Sequence, residues 1–105
     1  MDNDFTAKAL ININQLAMEA IRNENYKSAI DYFTQSLVLE EKLGMKAQMA
    51  ESFYNMASAY FLMEEYDSAL YKARLAEELF RQTEKKTDVE KTQNMINAIE
   101  EKQDL

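Results

Sequence analysis

The sequence predicts an all-α protein of about five helices, paired into antiparallel helix–turn–helix repeats. Residues 24–30 are Glu-Asn-Tyr-Lys-Ser-Ala-Ile, and residues 64–70 repeat this segment 40 residues later as Glu-Glu-Tyr-Asp-Ser-Ala-Leu. A period of roughly 20–50 residues indicates a repeat array, in which each unit buries its apolar face against its neighbours. The 105 residues include no proline and a single glycine, Gly44, and this composition favours long helices over sheets joined by tight turns.

Five helical segments follow from the apolar pattern and its interruptions. Apolar residues recur at steps of three and four, which is the spacing of one helical face. Polar breaks at residues 23–25 and 64–65 and the single Gly44 separate the segments, because Asn and Gly adopt the left-handed backbone conformation that ends helices. The predicted helices cover residues 4–23, 26–43, 46–63, 66–83 and 89–102.

The first and fifth helices have candidate N-terminal caps. Asp2 or Asp4 is expected to cap the first helix, since a short acceptor there satisfies free backbone N–H groups. Residues 85–88, Lys-Lys-Thr-Asp, are expected to form a charged linker in which Thr87 or Asp88 caps the fifth helix.

The same spacing predicts which side chains face inward. Leu16, Leu37 and Val38 are expected to lie on buried faces. Four methionines share one face of the third helix and are expected to be core: Met45, Met49, Met56 and Met63. Adjacent residues on a helix point about 100° apart, so paired acidic residues do not chelate one ion together. The four pairs of adjacent glutamates are therefore expected to lie on solvent-exposed helix faces; they occupy residues 40–41, 64–65, 77–78 and 100–101.

Composition argues against several classes of function. The chain has no cysteine, which excludes disulfides, thiolate catalysis and sulfur-ligated metals, and no histidine, the commonest general base and metal ligand. We therefore expect no enzyme activity, no cofactor and no metal site. The formal net charge of -7 argues against binding to nucleic acid or to an anionic membrane surface. The start, Met-Asp-Asn-Asp-Phe, lacks the basic residues of a signal peptide, so a cytoplasmic location is expected.

Eight pairs of residues spaced by 40 give the two copies a shared signature. They are Ile13 and Phe53, Leu16-Ala17 and Met56-Ala57, Ala20 and Tyr60, Tyr26 and Tyr66, Ala29 and Ala69, Phe33 and Ala73, and Ser36 and Ala76. In these positions the chain resembles the tetratricopeptide repeat (TPR) family, whose helix–turn–helix unit has about 34 residues. The family's turn glycine is replaced by Glu24 and Glu64, and its closing proline by Glu41 and Arg81. The chain thus looks like a variant of the repeat with longer helices.

The resemblance implies a single TPR-like α-solenoid domain over residues 1–105. The first repeat would cover about residues 10–43, the second about 50–83, and a C-terminal capping helix about 89–102. Small side chains allow two helices to cross closely, so Ala17 is expected against Ala29, and Ala57 against Ala69. The turn tyrosines, Tyr26 and Tyr66, are expected to pack their rings on the hairpins and keep their hydroxyls in water.

In the TPR family, the first helices of successive repeats line a concave groove that holds a peptide or helix. By that analogy the partner-binding residues here are Asn14, Met18, Arg22, Tyr54, Asn55, Ser58, Phe61 and Lys91, with Ile11, Gln15, Ile21, Leu62, Asn94 and Met95 beside them. Asn55 and Lys91 match the carboxylate-binding positions of the chaperone-binding subgroup. The other positions of that site are occupied instead by Asn14, Met18 and Met95.

Two functional hypotheses follow. The leading one is a non-catalytic protein–protein interaction module, a scaffold that binds a peptide or helix of a partner protein in the groove. The alternative is a self-assembling homodimer, because such arrays need about three units for stability and this chain has about two and a half. Under either hypothesis it stays open whether Ile21, Phe61 and Leu62 face the groove or are buried in the core or in a self-contact.

Overall fold

Five consecutive helices make up nearly all of the structure, a computed structural model that describes residues 2–105 and the side chains of residues 4–105. No strand occurs within the described range, so the predicted all-α class with five helices is confirmed. The predicted ends of the first four helices differ from the observed ends by two residues at most. The helices are α1 (Asp2–Arg22), α2 (Tyr26–Lys42), α3 (Lys46–Leu62), α4 (Tyr66–Gln82) and α5 (Lys86–Gln103).

Each helix packs mainly against the helix before it and the helix after it in the chain. Turns of three residues join them, and connections this short place successive helices antiparallel. The result is a slab of 50 × 32 × 18 Å rather than a sphere. Packing between chain neighbours is characteristic of a repeat array, in which stability comes from the units and their nearest-neighbour interfaces.

All four turns use the same backbone motif. The middle residue of each turn has a positive φ: 59° at Glu24, 67° at Gly44, 62° at Glu64 and 57° at Glu84. The next N–H then donates to the carbonyl five residues earlier, at 2.8–2.9 Å in every turn. This is the Schellman arrangement, which satisfies carbonyls that a helix end leaves free. The motif recurs every 20 residues, so the structural period is one helix and the 40-residue sequence repeat contains two.

The structure corrects three predictions about helix ends. An asparagine in the break at residues 23–25 was expected to end the first helix, because Asn tolerates the left-handed conformation. The left-handed residue is instead Glu24. Thr87 and Asp88 lie inside α5, and Lys85 occupies its N-cap position without a side-chain hydrogen bond. The helix begins there because Glu84 ends α4 two residues earlier, as in the other turns. Asp4 lies within α1, and the side chain of Asp2 is outside the described residues.

Small residues dominate the buried core. Ala17 and Ala29 are fully buried in one cluster with Phe33 and Met56. Ala57 and Ala69 are fully buried in a second cluster with Ala73 and Ile99, and the third consists of Ala50, Ala76 and Phe80. The turn tyrosines Tyr26 and Tyr66 are half-buried. Alanine at these positions lets the helix backbones approach closely.

Two side chains predicted to face inward are exposed. Val38 is 61% exposed, because the buried stripe of α2 passes through residues 29, 33, 36 and 40, and position 38 points away from it. Leu16 is 44% exposed, whereas Met56, 40 residues later, is only 2% exposed. Met56 packs into the core cluster of the preceding hairpin, and α1 has no preceding hairpin in the described structure.

Glu40 contradicts the prediction that the acidic pairs are solvated. It is 1% exposed, and the Ser52 hydroxyl donates to its Oε1 at 2.8 Å and its Oε2 at 3.2 Å. The prediction considered only its acidic neighbour Glu41, while the buried stripe of α2 carries position 40 into the contact with α3. Every buried side-chain nitrogen or oxygen among the described residues has a hydrogen-bond partner.

The alanine crossings are sensitive to added volume. We expect Ala29→Leu and Ala69→Leu each to lower the free energy of unfolding by about 1–3 kcal/mol, because both sites are fully buried and closely packed. Urea denaturation measures this, with Ser28→Leu at an exposed position of α2 as the control. If Ala29→Leu and Ala69→Leu unfold like the parent, the alanines do not form close crossings.

The turns should respond to glycine in opposite ways at adjacent positions. Glu64→Gly should raise the free energy of unfolding by about 0.5–1 kcal/mol, since glycine adopts a positive φ without a steric cost. Glu65→Gly should give no such gain, because residue 65 has a φ of -96°. Gly44→Ala should cost about 1 kcal/mol through backbone strain alone, as a Cβ at Gly44 would meet nothing within 4 Å. Thermal or urea unfolding tests all three, and a stabilising Glu65→Gly would contradict the assigned turn.

Candidate functional site

A shallow depression of about 390 Å³ lies between α3 and α5. Three of the predicted groove residues line it: Tyr54 and Phe61 from α3 and Lys91 from α5. Asn94, Met95 and Ala98 complete its lining. The lining is mostly apolar, with aromatic and thioether groups, and it also includes an ammonium and an amide. Such a mixture suits an apolar side chain flanked by polar groups.

Lys91 and Tyr54 form a direct contact across this depression. The Lys91 ammonium lies 4.6 Å from the centre of the Tyr54 ring. A cation over an aromatic face is stabilised by the ring quadrupole, by about 0.5–1 kcal/mol at an exposed site. The contact joins α3 to α5.

A more polar cleft adjoins the depression at the start of α5. Asn55 lies here with Tyr54 and Lys91, together with the carboxylates of Glu51 and Asp88 and the edge of the Phe80 ring. Burial raises the pKa of the Tyr54 hydroxyl, and the negative charge of Asp88 raises it further. The hydroxyl therefore stays protonated and remains a hydrogen-bond donor at neutral pH.

The remaining predicted residues on α1 line a separate depression. It is formed by Asn14, Met18 and Arg22, with Ile11 and Gln15. Asn14 also has a packing role, because its amide oxygen accepts a 2.7 Å hydrogen bond from the buried Ser36 hydroxyl of α2. In the second repeat, the equivalent positions are Tyr54 and Ala76. There, Tyr54 packs against the core cluster that contains Ala76, in place of the hydrogen-bonded amide and hydroxyl of the first repeat.

The predicted groove is thus divided between two patches rather than forming one continuous set of residues. Ser58 is half-buried and lines neither depression. Ile21 and Phe61 are half-buried and pack against core clusters, whereas Leu62 is exposed. Of the three residues whose environment was left open, Ile21 packs on the core, Phe61 both packs on the core and lines the depression between α3 and α5, and Leu62 faces solvent.

Sequence reasoning missed the two carboxylates beside Lys91. Asp88 was assigned to a cap because the fifth helix was expected to begin at residue 89, but the observed start at Lys86 places Asp88 and Lys91 one turn apart. The 20-residue spacing of Glu24, Gly44 and Glu64 would have located this start, since it predicts the next turn at Glu84.

Other kinds of site were also considered across residues described by the structure. Those residues contain no group of three or more Asp or Glu side chains placed to hold a metal ion. None of their helices combines the length and apolar character needed to cross a membrane. The sequence matches no protein-family model and has no match among curated proteins.

The charge of Asp88 should affect the titration of Tyr54. We expect Asp88→Asn to lower the Tyr54 pKa part of the way toward its ordinary value, because burial, the larger cause, remains. Titration of the Tyr54 Cζ resonance by NMR measures the change. Asp67→Asn on α4 serves as the control and should leave the Tyr54 titration unchanged. An unchanged Tyr54 midpoint in Asp88→Asn would show that these two side chains are not close.

Proposed function

We propose that this chain is a non-catalytic protein-interaction module that binds a peptide or helix of a partner protein. The observation that supports this most is the depression between α3 and α5, where Tyr54, Phe61 and Met95 provide apolar surface. Lys91 and Asn94 provide charge and hydrogen bonding at its edge. Aromatic anchors beside polar groups are typical of the residues that dominate binding energy at protein interfaces.

We further propose that the repeats are of the TPR kind. Support comes from the 40-residue signature, from helical hairpins packed in chain order, and from alanines at the buried helix contacts. On this proposal, α1, α3 and α5 are the first helices of successive units and carry the binding face. The proposal rests on these residues and on the architecture.

A catalytic role is not proposed, because the chain has neither the thiol nor the imidazole that most nucleophile–base pairs require. The absence of cysteine suits a reducing compartment, and the cytoplasm is the proposed location. Neither nucleic acid nor an anionic membrane is a proposed partner, given the net charge of -7.

The binding face is tested by comparing two double variants in pull-downs from the source organism's extract. Tyr54→Ala with Asn55→Ala removes an aromatic ring and an amide from the proposed face. Tyr71→Ala with Gln35→Ala removes the same groups from exposed positions of α4 and α2. A protein held by the parent and by the Tyr71 variant should bind the Tyr54 variant at least about tenfold more weakly, equivalent to about 1.4 kcal/mol.

Circular dichroism must show equal helicity in both variants for that comparison to count. Equal recovery of every bound protein by the two variants would show that the binding site lies on another surface.

The alternative of a homodimer is supported by apolar side chains that remain exposed on the same first helices. These are Ile11, Met18 and Leu62. If a second copy covers them, sedimentation velocity should show a concentration-dependent dimer that Met18→Asp dissociates. A single monomeric species across a wide concentration range would reject self-assembly.

A further inference from the structure

The contact between α2 and α3 joins the first hairpin to the second, and a buried carboxyl group lies within it. Glu40 is 1% exposed, and its carboxyl group accepts from one described hydrogen-bond donor, the neutral hydroxyl of Ser52. The described ion pairs join Arg74 to Glu100 and Arg81 to Glu77, so Glu40 has no salt-bridge partner among the residues described. A buried carboxylate without a cation is costly, whereas the neutral acid is not.

The equivalent contact 40 residues later has no ionisable group at this position. Phe80 replaces Glu40 and is 3% exposed. Thr92 replaces Ser52, and its hydroxyl donates within its own helix to the carbonyl of Asp88 at 2.7 Å. The same packing position is therefore apolar between α4 and α5 and titratable between α2 and α3.

Charged groups on the surrounding helices do not neutralise Glu40. The described charged residues of α1, which packs against the other side of α2, are all exposed: Asp4, Lys8, Glu19 and Arg22. The other charged residues of α2 are also exposed: Lys27, Asp31, Glu41 and Lys42. On α3, Lys46 and Glu51 are exposed, and the negative charge of Glu51 opposes ionisation of Glu40.

We propose that Glu40 is a proton-controlled lock between the two hairpins: the neutral acid holds α2 against α3, and loss of its proton to solvent loosens this contact. Because the carboxylate would have a single neutral donor and no cation, its ionisation favours states in which the joint admits water. α3 also carries Tyr54 and Asn55, so opening of the joint would change the surface between α1 and α3. The lock itself does not depend on partner binding.

The direction of the pH effect follows from the shifted titration. Burial, the largest cause, raises the pKa of Glu40 from 4.5 to about 7; the Ser52 hydrogen bond lowers it and the Glu51 charge raises it. A carboxyl with a raised folded-state pKa stabilises the fold fully below the unfolded-state pKa. That stabilisation is lost as the pH rises toward the folded-state pKa, and none remains above it. The sensitive range is therefore about pH 4.5–7.

Glu40→Gln provides a neutral carboxamide that keeps an oxygen for the Ser52 hydroxyl. Urea unfolding should be measured for the parent and this variant from pH 4.5 to 8.5. The unfolding constant of the parent divided by that of the variant should rise by about 150-fold over this range, because half of the unfolded-state carboxyl is already ionised at pH 4.5. Glu41→Gln, at the exposed neighbouring position, is the matched control and should show no such rise. The proposal would be overturned if the parent-to-variant ratio of unfolding constants for Glu40→Gln does not change with pH, or if it changes no more than the ratio for Glu41→Gln.

Two equivalent amides show whether the loosening is local. The Met45 N–H donates to the Glu40 carbonyl, and the Lys85 N–H donates to the Phe80 carbonyl, both at 2.9 Å. At pH 8, the Met45 amide should exchange with solvent faster in the parent than in Glu40→Gln, while the Lys85 amide exchanges equally in both. An equal change at both amides, or a Glu40 carboxyl that titrates near pH 4.5 by NMR, would rule out a lock at this joint.

Discussion

The left-handed turn that recurs every 20 residues is the constraint on which the rest of the structure depends. It ends each of the first four helices, satisfies their last carbonyls and starts the next helix two residues later, at a fixed register. Helices of similar length then return antiparallel, and each can pack only against its neighbours in the chain. Three of the four turns place glutamate where glycine is favoured, so packing of the helices on each side must offset the backbone strain.

Within this register, residues separated by 40 occupy equivalent places, and their differences show where the two repeats depart from each other. Buried alanines lie at equivalent helix contacts in both hairpins, which keeps the architecture regular. At two such places, the first repeat has polar residues where the second repeat has apolar or aromatic ones. Asn14 with Ser36 corresponds to Tyr54 with Ala76, and Glu40 corresponds to Phe80. The first difference places in the second repeat an aromatic ring that belongs to the proposed binding face, and the second gives the first joint its buried acid.

Much of the fold was predictable because it is encoded locally. The apolar period and the repeated segment gave the class, the number of helices and the positions of the first four. The start of α5 was missed because Glu84 has no local sequence sign of a left-handed conformation. Burial of Glu40 was missed because its charge suggested solvent, although the spacing from Phe33 and Ser36 placed it on the buried stripe. The predicted groove residues line two separate depressions rather than one groove, since a linear sequence gives the face of each helix but not the separation between helices that are not neighbours in the chain.

The most direct test of this architecture is NMR measurement of backbone conformation at the turn residues Glu24, Glu64 and Glu84. Intraresidue HN–Hα NOE intensities and Cα and Cβ chemical shifts distinguish a left-handed residue from a right-handed helical one. The 20-residue register predicts the left-handed signature at all three glutamates, together with slow exchange of the amide that follows each. A right-handed helical signature at Glu84, continuing from α4 into α5, would contradict the repeating turn and the placement of Tyr54 and Lys91 that depends on it.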